Sequence, residues 1–341
     1  MSDSTPTTTT APGWAVLGPG SIARRFLSQL PASSRGARLV AAGSSDQGRA
    51  AAFAAEAVEH GFPDATAGDY AAVLADPQVT AVYISTVHTG HAALVLQALE
   101  AGKAVLCEKP VAPTPAEVER VLAQAAASGL PFVEAYKHRF GPFARALDAA
   151  VADHEVGSAL RLTASFGFAA GSRSGRLFDP ALAGGAILDV GGYPVSLAVG
   201  LAAAAGVDPA DLTLTAAAGR IGDTGVDEHA TATVSGNGFT AEVACSIVAE
   251  LSRSATLTGS AGSIDLPDVF GSRAASAASF TVRTGGLERV VEPATVDPFA
   301  AEADAVSLAL LDGRTEAGEV PWAHSRAIAG LLDQWRAGLQ G

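Results

Sequence analysis

Hydrophobic positions along the first 136 residues fall in short runs separated by amphipathic stretches. WAVLG (14–18) is a compact apolar run ending in glycine. The stretch SIARRFLSQL that follows puts Ile22, Ala23, Phe26, Leu27 and Leu30 on one face at helical spacing. The alternation continues with a strand over 37–45, a helix from Asp46 as N-cap to about Glu59, and a strand over 81–86. A helix then stops at Gly102, and a strand spans 104–110. Thr114-Pro115-Ala116-Glu117 reads as a capping box with proline at the first helical position, opening a helix that runs to Gly129, and 131–136 is a further strand. Strands alternating with helices predict right-handed βαβ units and a parallel sheet. Near-continuous apolar strands predict that both of its faces are covered.

The pattern changes after about residue 140. Long β-like stretches at 159–168, 212–220, 229–248, 254–266 and 279–293 dominate, and Gly236-Asn237-Gly238 and Gly285-Gly286 are hairpin signals inside two of them. Helical patterns are limited to about 143–153, 190–204, 298–312 and 323–338. The predicted fold class is therefore α/β: a doubly wound parallel sheet followed by an α+β domain with an open, mostly antiparallel sheet. The divisions expected are a disordered Ser/Thr/Pro tail over 1–12, a first domain over 13–140 and a second over 141–341.

Charge and composition narrow the function. The 341-residue chain carries a formal charge of −13, which disfavours nucleic acid and anionic lipid as partners. Hydrophobic residues make up 48%, enough for a sizeable core. The most apolar late stretch, 193–207, reads as too short to span a bilayer. Two cysteines, Cys107 and Cys245, lack CxxC partners and fit a reducing cytoplasm. No histidine has a metal-spaced partner, so no metal site is expected. Lysine occurs only at positions 103, 109 and 137, so a lysine at a motif position stands out from surface filler.

Gly18-Pro19-Gly20-Ser21-Ile22-Ala23 reads G-x-G-x-x-A between a predicted strand and a predicted helix. Gly18 makes the tight turn, Gly20 lets backbone approach a pyrophosphate, and the helix start at Ser21 and Ile22 meets the negative charge. The alternative is an ordinary glycine turn. The acidic residue that usually ends the second strand is replaced by Gly43-Ser44-Ser45. Ser44, Ser45 and Arg49 are then free to bind a 2′-phosphate, which favours NADP while leaving NAD possible. Otherwise Arg49 is a solvated helix residue. Cys107-Glu108-Lys109-Pro110 ends a parallel strand, where ligands of such sheets bind. Lys109 there either caps the strand end or meets a substrate oxygen.

These motifs resemble the Gfo/Idh/MocA family of NAD(P)-dependent oxidoreductases. The matching segments are G-P-G-S-I-A, Ser85-Thr86 with His91, C-E-K-P, E-A-Y-K-H-R-F-G-P (134–142) and R-L-F-D-P-A-L-A-G-G-A-I-L-D-V-G-G-Y-P (176–194). The last is similar to the branch holding dimeric dihydrodiol dehydrogenases and NADP-dependent xylose 1-dehydrogenases. The resemblance implies a Rossmann first domain and hydride transfer between nicotinamide and a carbinol carbon of a sugar or cyclic polyol. It implies Lys109, Asp189 and Tyr193 as the catalytic group, with Tyr193 moving the proton, Lys109 assisting it and Asp189 orienting the pair. Asp189 and Tyr193, four residues apart at a helix start, would share a face. Thr86, His88, His91, Glu108 and Arg139 join the cofactor contacts, although His88 is otherwise simply exposed. His138 joins Lys109, Asp189 and Tyr193 at the substrate, because 136–138 departs from the family pattern. A homodimer or homotetramer is implied by the same resemblance. Nicotinamide-dependent glycoside cleavage on this scaffold and a non-catalytic dinucleotide sensor are the rival expectations.

Overall fold

The computed structural model describes residues 11–270 and 279–339. Of the tail expected over 1–12, residues 1–10 lie outside the described residues.

Six parallel strands form the first sheet: β1 (Gly13–Leu17), β2 (Arg38–Gly43), β3 (Thr66–Gly68), β4 (Ala81–Ile84), β5 (Ala104–Glu108) and β6 (Phe132–Ala135), in the order β3-β2-β1-β4-β5-β6. This is the doubly wound order, with its crevice at the carboxyl ends of β1 and β4. Alternate residues of each strand face opposite sides. Trp14 and Val16 pack with α1 (Ser21–Gln29) and α2 (Gln47–Glu59), whereas Ala15 and Leu17 pack with α3 (Tyr70–Ala75), α4 (His88–Glu100) and α5 (Pro115–Ser128). The Thr114 cap accepts from the Glu117 N–H at 3.4 Å, and Gly129 closes α5 in the left-handed region at φ +68°. The sequence pattern missed β3, a three-residue edge strand too short to show a period.

Nine strands form the second sheet: β7 (Leu160–Ala169), β8 (Thr213–Ile221), β9 (Asp227–Gly236), β10 (Phe239–Ser246), β11 (Val248–Leu251), β12 (Ala255–Thr258), β13 (Gly262–Leu266), β14 (Phe280–Thr284) and β15 (Leu287–Val291). Among the described residues of this sheet only β7 and β10 pair in parallel; the other pairings are antiparallel. Asn237 and Gly238 both have positive φ between β9 and β10, and so do Gly285 and Gly286 between β14 and β15. These are the two-residue turns whose twist suits a hairpin. Leu160, Leu162, Ala164 and Phe166 of β7 face a core closed by α6 (Pro142–Ala152), α7 (Gly192–Ala204) and α9 (Trp322–Gly338). The opposite face is polar and open.

Two expectations need correction. The helix α8 (Pro298–Leu311) does not sit with the second sheet. Phe299, Ala303 and Val306 bury themselves with Phe26 and Tyr83 on the parallel sheet, so part of 141–341 completes the first unit. Periodicity marks the apolar face of a helix but not the sheet that covers it. The run from Pro180 through Ala204 is, by length and composition, apolar enough to cross a membrane. Its apolar window is 94% buried within the protein, as in the core helix of a globular domain. Counting only the unbroken apolar stretch had hidden the helical turns that precede it.

Candidate active site

A cleft of about 730 Å³ opens between the carboxyl ends of the parallel strands and the second sheet, within the usual size of a small-molecule site. Its floor is the glycine turn. Gly18 has φ +93°, and a Cβ there would lie 2.6 Å from the Thr86 side chain, so only glycine fits. A Cβ on Gly20 would meet only the Gly18 carbonyl oxygen, at 4.0 Å, so this side stays open to a ligand. No side chain caps the start of α1, which leaves its N–H groups facing the cleft. Ser21 and Ile22 line the cleft. Ser85 donates to the Gly18 carbonyl at 2.9 Å and ties the turn to the end of β4.

At the end of β2, Ser45 and Arg49 line the cleft, and the Arg49 guanidinium donates to the Ser45 hydroxyl at 3.4 Å. Arg25, which the sequence pattern did not single out, joins them. The Ser44 hydroxyl is turned inward and accepts from the Asp46 N–H at 3.1 Å. The uncapped helix start, the open Gly20 and two arginines beside the end of β2, where the nearest carboxylate is that of Asp46 at 3.5 Å from the Arg49 guanidinium, make a donor set that fits a dinucleotide carrying a 2′-phosphate.

On the opposite wall, Asp189 sits in a π-helical turn, Ile187–Gly191, that leads into α7. The wider turn departs from the simple i, i+4 geometry expected, yet Asp189 and Tyr193 both line the cleft with Lys109. Lys109 donates to the Asp189 main-chain carbonyl at 2.5 Å, and Arg176 donates to the Asp189 carboxylate at 2.9 Å. Burial opposes ionisation of Asp189, but Lys109 and Arg176 outweigh it and hold the pKa below the usual carboxylate value. Burial pushes the Tyr193 phenol up to about 12, although Lys109 works against the rise. The group that touches the Tyr193 oxygen is Lys137, which donates to it at 2.8 Å; Lys109 Nζ lies 5.0 Å from the ring centroid.

The remaining candidates divide. Thr86 and Glu108 line the cleft, and Glu108 accepts from the Tyr83 hydroxyl at 2.6 Å. His88 also borders it and is buried rather than exposed. Its Nδ1 meets the Ala183 carbonyl at 3.0 Å, and burial together with Lys109 drives its pKa down to about 3, so the ring is neutral. His91 lies 2.8 Å from the Pro110 carbonyl and 3.1 Å from the Thr86 carbonyl, fastening one loop to the other. Arg139 points away: its guanidinium is buried and donates to the Ser196 carbonyl at 2.9 Å, so it holds α7 and is not on the cleft wall. His138 stands behind Tyr193, 5.6 Å between ring centroids, in a layer with Phe166 and Phe270. Lys137 and Arg176 are cleft-lining positions that the sequence pattern undervalued. Lys137 follows a parallel strand just as Lys109 does, and that was the available signal.

A parallel sheet with a glycine-turn anion site and a lysine at the end of β5, facing an acid and a tyrosine from the helical turn that opens α7, defines a dinucleotide-dependent oxidoreductase. Residues 13–136 match the model of the oxidoreductase family with NAD-binding Rossmann fold, and residues 144–265 match the GFO/IDH/MocA C-terminal domain. The chain belongs to the Gfo/Idh/MocA family of NAD(P)-dependent oxidoreductases. It is 33% identical over 338 residues to the trans-1,2-dihydrobenzene-1,2-diol dehydrogenase of Bos taurus, covering 95% of each chain. It is 34% identical over 199 residues to the D-xylose 1-dehydrogenase (NADP(+)) of Hypocrea jecorina, covering 54% of this chain and 51% of that one. A 3-ketoreductase from Actinomadura kijaniata, solved with NADP and TDP-benzene, superimposes with a TM-score of 0.83 at 26% identity, covering 96% of this chain and 98% of the other.

Proposed function

We propose that the protein uses NADP to move a hydride to or from a carbinol carbon of a sugar or cyclic polyol, with Tyr193 as the proton-transfer group. The observation that carries this reading is that Lys109, Asp189 and Tyr193 border one cleft opposite the glycine turn. Bound NADP supplies the hydride acceptor and, when reduced, the donor. The uncapped start of α1 would hold the pyrophosphate, and Ser45, Arg49 and Arg25 the 2′-phosphate. Lys109, fixed on the Asp189 carbonyl, lies where an ammonium stabilises negative charge growing on the substrate oxygen. The Asp189 carboxylate, kept ionised by Lys109 and Arg176, positions the Arg176 guanidinium, while its main-chain carbonyl positions Lys109. Tyr193, protonated at neutral pH, gives its proton to the substrate oxygen in reduction and takes it back in oxidation. Phe166 and Phe168 on the cleft wall offer an apolar surface for a sugar or carbocyclic ring. The open polar face of the second sheet is the surface we assign to self-association.

The test is a screen of sugars, inositols and dihydrodiols with NADP and NAD separately, following the absorbance of the reduced nicotinamide. Turnover with NADP and at least one of these classes is expected. No hydride transfer with any of them would refute the reading.

A further inference from the structure

Two ammonium groups flank Tyr193, and their contacts differ. Lys109, at the end of β5, spends its bond on the Asp189 carbonyl. Lys137, in the single helical turn after β6, bonds the Tyr193 oxygen itself at 2.8 Å with its Nζ 4.5 Å from the ring centroid. Ammonium is a donor only, so the phenol must accept this bond and direct its own hydrogen elsewhere. Tyr193 and Lys137 both border the cleft, which leaves that hydrogen available to a ligand there.

We propose that Lys137 is the positioning residue for proton transfer: it turns the Tyr193 hydrogen towards the substrate oxygen and stabilises the phenolate left when the proton departs. This rests on Tyr193 acting as the acid and base. In reduction the hydride forms the new C–H bond, the Tyr193 O–H bond breaks, and its proton completes the substrate hydroxyl. The phenolate is then paired with Lys137 until solvent returns a proton through the cleft. Oxidation runs the same steps backwards.

The surroundings leave few other groups for this task. Facing Tyr193 are Lys109 and Glu108 from β5, His138 beside Lys137, Asp189 from the preceding turn and Glu302 from α8. Burial raises the Tyr193 pKa, Lys109 opposes the rise, and Glu108, Asp189 and Glu302 add to it. His138 is neutral, because burial, Arg139 and Lys137 push its pKa well down, and neither of its ring nitrogens has a hydrogen-bond partner. The fully buried Glu302 carboxyl is held towards its neutral form by burial and by Glu108, with Lys137 opposing.

The experiment has a substrate-free arm and a kinetic arm. With only three lysines in the chain, the side-chain nitrogens can be followed individually by nitrogen-15 NMR of the full-length protein. Tyr193→Phe should displace the Lys137 resonance and leave that of Lys103, which bonds the Asp76 and Val79 carbonyls, in place. An unmoved Lys137 resonance overturns the proposal whatever the substrate proves to be. In the kinetic arm, Lys137→Met should lower kcat by about 10–100-fold, the usual worth of a hydrogen bond to a charged group, while substrate KM and NADP Kd stay within about threefold. The acid limb of kcat/KM for oxidation should move up by about one pH unit or more, because a cation at this distance favours the phenolate. Lys137→Arg should recover part of the loss, and small primary amines should restore turnover to Lys137→Ala. Unchanged kcat and an unmoved limb in Lys137→Met, or a loss seen only in KM, would contradict the positioning role. If the wild type transfers no hydride to any sugar or polyol, the functional reading fails, but the NMR arm still decides the contact.

Discussion

Burial sets the chemistry of Tyr193. A phenol pushed up to about 12 carries its proton throughout the neutral and mildly alkaline range. The sign follows directly: a raised pKa favours the donor form, so carbonyl reduction should run at a nearly constant kcat from about pH 6 to about pH 10, while oxidation should rise with pH. Steady-state rates in both directions check this; reduction that falls off above about pH 8 would place the acid elsewhere. Lys109 makes a second residue-scale case. Replacing it with Met removes the cation next to the Asp189 carbonyl and should cost kcat about 10²–10³-fold, the range found for one lost oxyanion donor. Lys109→Met with normal turnover would leave the lysine a strand cap. Both residues were legible in the sequence because each sits in a motif at a strand or helix end. The Lys137–Tyr193 contact, Arg176 and the inward turn of Arg139 were not. Lys137 and Tyr193 are 56 positions apart, and nothing in local pattern tells whether a side chain after a strand turns to the cleft or into the core.

At the scale of elements, the glycine turn and the start of α1 form one device. Gly18→Ala would force a Cβ against Thr86 at positive φ, and should destabilise the fold by about 1–3 kcal/mol while weakening dinucleotide binding. Urea unfolding and calorimetric titration of the same sample check both effects; wild-type values in either would mean the turn is less constrained than its geometry implies. The end of β2 decides between the two cofactors. Ser45→Asp combined with Arg49→Ala restores a ribose acceptor and removes a phosphate partner, and should move the Kd ratio at least tenfold towards NAD, the order of one charge-assisted bond. An unchanged ratio would assign the 2′-phosphate to Arg25 alone. The parallel strands β1, β2, β4, β5 and β6 announced themselves as apolar runs between helices, and the hairpin turns by paired positive-φ residues. The short β3 and the packing of α8 did not, because the first has no period and the second depends on where the chain returns after β15.

The whole molecule reconciles an acidic surface with a basic interior cleft. Arg25, Arg49, Lys109, Lys137 and Arg176 line it against Glu108 and Asp189, although the chain as a whole carries −13. Cations gathered in a cleft focus field there and draw in an anionic dinucleotide that the outer surface would repel. The first unit supplies the anion site and Lys109, and the second supplies Asp189 and Tyr193, so neither half completes the cleft alone. Composition showed the net charge but could not show this segregation, which arises only when two sheets meet. The most direct measurement is turnover of Tyr193→Phe with NADP and the substrate found in the screen, alongside NADP titration of the same preparation. The variant loses one hydroxyl, so kcat should fall by about 10²–10⁴-fold, the range for a positioned acid or base, with NADP affinity essentially unchanged. Near-normal kcat would contradict the account and make Tyr193 a packing residue of the aromatic layer.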